Sequence, residues 1–213
     1  ATVFSKSKSL ANLFNDVNQD LAHLVEWFKS NKLSLNTKKT HFAVFTPKQR
    51  PVKTNLQIII DGQNIERRTT FKFLGVKLDE NLTWDAHINH SSSKIASSLF
   101  ALRRAKSILQ ANQLKMLYSA LIQPYLEYGL ILWGSACDKY VNRINILQKK
   151  AIRIISNAPY NANTLPLFIE KGILKLKEIY HMHLAKYMFK MYNSTLPTPL
   201  CGQLITNMAL AKE

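Results

Sequence analysis

At 213 residues the chain is long enough for one large domain or two small ones, and 46% apolar content is that of a globular protein with a core, which excludes a disordered tail. Lysine and arginine number 29 against 13 aspartates and glutamates, and the resulting +16 predicts attraction to polyanions, nucleic acid first and anionic membrane second. No apolar run approaches the roughly 18 residues that span a bilayer, residues 1–10 lack the order of a secretory signal, and Cys137 and Cys201 stand far apart outside any Cys-x-x-Cys pair, which argues against a membrane protein, a secreted protein, a disulfide framework and a cysteine zinc site.

An intracellular protein, nuclear or cytoplasmic, is therefore expected. From the N-terminus, Leu10, Leu13, Phe14, Val17, Leu21, Leu24, Val25 and Phe28 recur at spacings of three and four, one stripe of an amphipathic helix that ends near Ser30-Asn31. A polar connection at 36–39 leads into residues 40–46, which are β-branched and aromatic, stop at Pro47 and read as a strand. A basic, proline-containing stretch covers 48–55. Residues 56–60 then form a strand that Asp61-Gly62 turns into a hairpin with 63–68, and 70–78 form one further strand before Asp79-Glu80-Asn81.

Beyond Trp84 the pattern becomes helical. Ile88, Ile95, Leu99, Leu102 and Leu109 keep helical spacing with Asp85 as a cap, and 114–132 and 141–155 continue in the same manner, Pro124 interrupting the first of them. Pro159 and Pro166 bracket a loop before a last helix near 174–192, and past Pro197 and Pro199 the pattern supports no regular element. Residues 1–84 carry 13 basic and 7 acidic side chains and residues 85–213 carry 16 and 6, so the second part is the more basic surface. The fold class is α+β.

Four segments follow one another: LVEWFKSNKLSLNTKKTHFAVF at 24–45, FKFLGVKLDENLTWDAHI at 71–88, LYSALIQPYLEYGLILWG at 117–134 and LQKKAIRIISNAP at 147–159. Together they resemble the reverse transcriptases of LINE-type, Jockey-like and CR1-like non-LTR retrotransposons, over about residues 1–160. The first is similar to the family's palm motif D with its Asn-x-x-Lys-Thr connection, the second to the Phe-Leu-Gly-Val primer grip, motif E, and the last two to thumb and post-thumb helices. The resemblance implies that residues 1–84 are the C-terminal part of a palm, a helix plus antiparallel strands. It implies that 85–158 are a helical thumb bundle and 159–213 a helical extension. It also implies that the catalytic aspartate pair lies just before Ala1, so that the chain is a fragment of an RNA-directed DNA polymerase. Such a fragment binds primer and template, RNA and DNA, without polymerising alone, and holds no cofactor itself. Mg²⁺ and the missing N-terminal part of the reverse transcriptase belong to the complete enzyme.

Polymerisation needs carboxylates that hold two divalent ions close together. Asp16 and Asp20 share a helix face by spacing but read as a solvated face, and Asp79 and Glu80 point in different directions from a strand end. The expectation is no metal site in this chain. By resemblance, Lys39 lies near the phosphates of an incoming nucleotide once the palm is completed, where an ammonium stabilises or protonates the leaving group. Lys38 is adjacent, and a solvated loop lysine is the alternative. Phe73, Leu74, Gly75 and Val76 are the primer-grip candidates, Gly75 allowing close backbone approach, with an ordinary strand bulged at glycine as the alternative.

Lys94, Arg103, Arg104 and Lys106 lie on or beside one helix, and Lys149, Lys150 and Arg153 form a second cluster. With so little acid nearby, both groups suit phosphate contacts without sequence readout. Trp84 and His87 read as core and capping residues, and Tyr118, Tyr125, Tyr128 and Trp133 as core packing. His87, His90, His181 and His183, with Cys137, match no usual zinc spacing. A palm without its catalytic strands leaves a sheet edge and an apolar stripe uncovered, so association of copies is expected. The competing reading is a host-retained or decayed module whose bundle binds a protein or structured RNA.

Overall fold

A computed structural model describes residues 2–50, 52 and 55–197. Lys53, Pro199 and Cys201 lie outside them, as does the segment after Pro197. The chain divides into two compact units, Ala1–Thr83 and Trp84–Glu213.

In the first unit the stripe read from Leu10 onward becomes α1, Leu10–Ser30. Phe14 is its one fully buried residue, in a small core with Val44, Ile58, Ile60 and Ile65, and Leu10, Val17, Leu21 and Val25 pack half-buried against it. The Phe14 ring meets Phe42 edge-on at 5.8 Å. Asn18, polar in mid-helix, serves the neighbouring backbone. Its Nδ2 donates to the Gln57 carbonyl (3.1 Å) and its Oδ1 accepts from the Ile59 amide (2.9 Å), which ties the extended chain to the helix.

Three two-stranded ribbons are formed among the described residues. β1 (His41–Phe42) pairs in parallel with β4 (Glu66–Arg67), β2 (Ile59–Ile60) antiparallel with β3 (Gln63–Asn64), and β5 (Thr70–Phe73) antiparallel with β6 (Val76–Asp79). The hairpin expected at Asp61-Gly62 is present, though shorter. Both turn residues have positive φ, 51° and 73°, as a two-residue hairpin turn requires.

Two expectations are corrected. The strand expected at 40–46 is two residues long, because the backbone changes partner: Phe42 O accepts from Arg68 N (2.8 Å), whereas Thr46 N donates to Glu80 O (3.0 Å). Its pairing with β4 is parallel, so the strands are not all antiparallel. The single strand expected at 70–78 is a hairpin, in which Phe73 faces Val76 and Leu74-Gly75 is the turn, with φ of 44° and 85°. A side-chain-bearing residue at positive φ costs on the order of 1 kcal/mol, and Leu74 is 77% exposed, so little packing offsets that strain. Replacing Leu74 by Asn, which tolerates this conformation, is expected to raise stability by about 0.5–1 kcal/mol in urea unfolding. A loss of stability would show that the leucine side chain is needed for packing.

The second unit is helical: α2 (Asp85–Ala105), α3 (Ala111–Leu121), α4 (Gln123–Glu127), α5 (Leu130–Trp133), α6 (Asp138–Ile155), α7 (Thr164–Lys171) and α8 (Leu176–Tyr192). Ile88, Ile95 and Leu102 of α2, Ile144 and Ile152 of α6 and Trp133 of α5 are fully buried in its core. Pro124 sits in the first turn of α4, so the segment 114–132 is divided there rather than continuous. Asp85 is not the cap of α2 but its first residue. The cap position is Trp84, at φ 68°, and Asp85 accepts from Arg143 Nη1 at 3.2 Å. The loop expected between Pro159 and Pro166 ends in α7, whose first turn contains Pro166. Proline forfeits little there because first-turn amides have no helical partner, and Asn163 Oδ1 caps that end by accepting from Leu165 N (3.0 Å). At Gly134 a Cβ would run into the Tyr180 ring, so glycine lets α8 lie flush against the end of α5.

Gln148 is the polar centre of this core, 1% exposed. Its Nε2 donates to the Tyr118 hydroxyl (3.0 Å) and the Leu174 carbonyl (2.9 Å), and its Oε1 accepts from Leu176 N (2.9 Å). Burial pushes the Tyr118 hydroxyl up to about 12, a rise that the Gln148 bond opposes and Glu127 reinforces. The folded value lies above the unfolded value near 10, so the folded state keeps the proton longer. That contribution is whole below about pH 10 and is lost as pH climbs through about 12. An ultraviolet titration of the folded protein is expected to show a tyrosinate with a midpoint near 12 that Tyr118→Phe removes. Its persistence in the variant would assign it elsewhere.

Candidate nucleic-acid interface

The Asn-x-x-Lys-Thr connection is a turn closed by its own side chains. Asn36 Oδ1 and Asn36 O both accept from Lys39 N (3.2 and 3.1 Å), and Thr40 Oγ1 donates to Asn36 O (2.9 Å), which closes the short 3-10 helix Thr37–Lys39. Lys38 and Lys39 are thereby both held exposed, and the geometry does not choose between them. In the other candidate segment, Val76 is buried, Phe73 is half-buried, and Leu74 and Gly75 form the exposed tip of the hairpin. The four residues thus divide into an anchoring pair and a projecting pair.

The basic residues of α2 do not form one stripe. Lys94 and Arg103 are nine residues apart, two and a half turns at about 3.6 residues per turn, and so lie on opposite flanks. Lys94 lies on the α3 side, one turn from Ser98, whose Oγ donates to Leu121 O (2.9 Å). Arg103 shares the other flank with Asp85, Asn89 and Phe100 by steps of three, four and multiples of them. Arg143 of α6 donates to both Asp85 and Asn89, so this flank borders α6. Arg104 lies beside it, its guanidinium 5.9 Å from the Phe100 ring centre. Lys106 is past the helix end, at the C-cap, and half-buried.

On α6 the core takes Ile144, Gln148, Ala151, Ile152 and Ile155, and the opposite face carries Lys139, Arg143, Lys149, Lys150 and Arg153. Asp138 is the only acid in the helix. Lys149 and Lys150 are exposed, whereas Arg153 is half-buried and its Nε donates to Ala162 O (3.0 Å), pinning the loop after α6. Arg143 lies 5.5 Å from the Tyr140 ring centre. Its pair with Asp85 is about 40% exposed on each side, so it orients the guanidinium more than it neutralises the face. Lys139 and Arg143 were missed in the sequence reading. The signal that reveals them is the spacing of four and then seven to Lys150, which returns to one helical face.

The carboxylates weighed for metal chemistry do not converge. Asp79 organises the 79–83 turn, its Oδ1 accepting from Asn81 N and Thr83 N, and Glu80 pairs with Arg67 at 2.8 Å. Asp16 and Asp20 are exposed on α1. Among the described residues no group of three His, Cys, Asp or Glu is arranged to hold a metal ion. His87 is buried against Trp133, ring centres 5.8 Å apart. Of the four aromatic residues read as core, Tyr118 and Trp133 are buried, but Tyr125 and Tyr128 are exposed, because the break at Pro124 rotates the following turn outward. Among the described residues no helix is long and apolar enough to cross a membrane.

Comparison with known proteins gives one kind of relative. The chain is 28% identical over 171 residues to a probable RNA-directed DNA polymerase from transposon BS of Drosophila melanogaster, covering 78% of this chain and 19% of that protein. It is 25% identical over 173 residues to the probable RNA-directed DNA polymerase from transposon X-element of the same fly, covering 79% and 19%. It is 26% identical over 191 residues to the RNA-directed DNA polymerase from mobile element jockey, covering 87% and 20%. The chain therefore spans about a fifth of the length of the curated relatives it matches. No family model and no solved structure matches it.

Proposed function

We propose that this chain, which is similar to RNA-directed DNA polymerases of Drosophila mobile elements, is part of a non-LTR retrotransposon reverse transcriptase and serves there to hold primer and template. The observation that carries this reading is the outer face of α6, where five cations share a helix with one acid. An array of this kind neutralises phosphates along a backbone without reading bases. Arg103 and Arg104 extend it along the neighbouring flank of α2.

In this proposal residues 1–84 are part of the palm, 85–158 the thumb and 159–213 its helical extension. The Leu74-Gly75 tip approaches the primer backbone, and Lys39 or Lys38 faces the phosphates of the incoming nucleotide. Among the described residues the carboxylates do not converge on a two-metal centre, and in this proposal the Mg²⁺ ions and the chemistry they supply are held by other parts of the polymerase. The chain alone then binds an RNA–DNA hybrid without extending it. A primer-extension assay with Mg²⁺ and a parallel binding assay on the same hybrid test both halves: binding without extension is expected, and extension by this chain alone would overturn the assignment.

A further inference from the structure

An arginine stands three residues before a hydroxyl side chain at three places in the chain: Arg67 before Thr70, Arg104 before Ser107 and Arg153 before Ser156. Guanidinium charge at that distance is what an acidic protein-kinase groove selects in a substrate, because charge complementarity decides which segment it takes up. The fold withdraws two of the three. Arg67 is half-buried and committed, its Nη1 donating to Val52 O (2.8 Å) and its Nη2 pairing with Glu80 (2.8 Å), while Thr70 lies in β5 opposite Asp79. Ser156 Oγ is buried, and Arg153 is tied to the Ala162 carbonyl.

Ser107 differs on each count. It is exposed in the turn of residues 106–109 that links α2 to α3, and Ile108 after it is 84% exposed. Arg103 and Arg104 are exposed, and among the described residues neither is in a salt bridge. Lys106 adds a third cation, and no acidic residue occurs from Ala86 to Leu126. Short-range bonds hold the turn: Ser107 Oγ donates to Arg104 O (2.9 Å), and Ile108 N and Leu109 N both donate to Ala105 O (3.0 and 2.8 Å). A helix end held in this way opens at small cost, which lets residues 104–108 enter an extended groove.

We propose that Ser107 is a phosphate-acceptor site for a protein kinase directed to basic substrates, and that the phosphate releases nucleic acid from the end of α2. Ser107 Oγ attacks the γ-phosphorus of ATP, the bond from that phosphorus to the oxygen bridging the β-phosphate breaks, ADP leaves, and the hydroxyl proton passes to the kinase's catalytic base. The product has lost the donor that bound Arg104 O, and it carries about −1.5 to −2 charge at pH 7 beside the negative end of the α2 dipole. Its favourable partners are therefore the Arg103, Arg104 and Lys106 side chains. Phosphate held there competes with a nucleic-acid backbone for the same cations. That consequence rests on the proposed nucleic-acid binding, whereas the acceptor assignment does not.

In the test, the full native chain is incubated with the catalytic subunit of cyclic-AMP-dependent protein kinase and Mg²⁺-ATP. The phosphate is located by peptide mass spectrometry, and affinity for an RNA–DNA hybrid is measured before and after. One phosphate at Ser107 is expected, absent from Ser107→Ala, unchanged in Thr70→Ala and incorporated at least about tenfold more slowly in Arg104→Ala. Hybrid affinity of the phosphorylated chain should fall about tenfold near ~0.1 M salt and return on phosphatase treatment, and Ser107→Ala treated identically should keep its affinity. No phosphate on Ser107, phosphate on Thr70 or Ser156 in its place, or modification of the urea-unfolded chain alone would overturn the acceptor assignment. Phosphate on Ser107 with hybrid affinity unchanged would overturn its control of binding. If the unmodified chain does not bind the hybrid while Ser107 is phosphorylated as expected, the proposed function fails and the acceptor site stands.

Discussion

Replacing Gln148 by leucine is expected to lower the stability of the helical unit by about 3–5 kcal/mol, measured by urea unfolding. The side chain joins three groups from two parts of the fold: the Tyr118 hydroxyl of α3, and the Leu174 carbonyl and Leu176 amide at the entry to α8. Leucine matches the volume but strands all three in a site that is almost closed to water, and each stranded buried group costs about 1–3 kcal/mol. The double change Gln148→Leu with Tyr118→Phe removes one of those orphans. It is therefore expected to recover about 1 kcal/mol relative to the sum of the single changes. A loss below about 1 kcal/mol for Gln148→Leu would mean that water or a rearranged loop satisfies the stranded groups, and α8 would not be anchored as described.

The largest functional effect is expected from reversing charge on α6. Lys149→Glu with Lys150→Glu turns two exposed cations into anions on a helix with one acid of its own. Each lost phosphate contact also forfeits the release of about one counterion. Affinity for an RNA–DNA hybrid should fall on the order of a hundredfold near ~0.1 M salt, with the fold unaffected because neither side chain is buried. Lys94→Glu is the informative control. It reverses one charge where the α6 variant reverses two, on the far flank of α2, and is expected to weaken binding by only a fewfold. A loss per reversed charge equal to that of the α6 variant, about tenfold, would mean that net charge, and not the α6 face, governs binding.

Much of the fold was legible because burial imposes periodicity. The stripes that form α1, α2 and α6 repeat apolar residues at three and four, and Asp61-Gly62 announces its hairpin through residues that tolerate positive φ. What escaped has identifiable physical causes. Leu74-Gly75 is a turn built on a leucine, which turn chemistry disfavours, so the hairpin read as one strand. Pro166 looked like a loop marker, yet the first turn of α7 accommodates it. The ribbons are too short for alternation to register, and β1 changes partner within six residues.

The candidate site was legible in part for the same reasons. Clusters were read as neighbours in sequence, whereas a helix brings together residues three, four and seven apart. Lys94 therefore falls away from Arg103, while Lys139 and Arg143 join Lys149 and Lys150. Arg153, counted with the phosphate contacts, also fastens the following loop through Ala162.

The most direct test of the account is the salt dependence of hybrid binding, plotted as the logarithm of affinity against the logarithm of salt concentration for the unmodified chain and for Lys149→Ala with Lys150→Ala. The account predicts a steep line for the unmodified chain and a slope about two shallower for the variant, one for each phosphate contact removed. Parallel lines, or an affinity that does not change with salt, would contradict it.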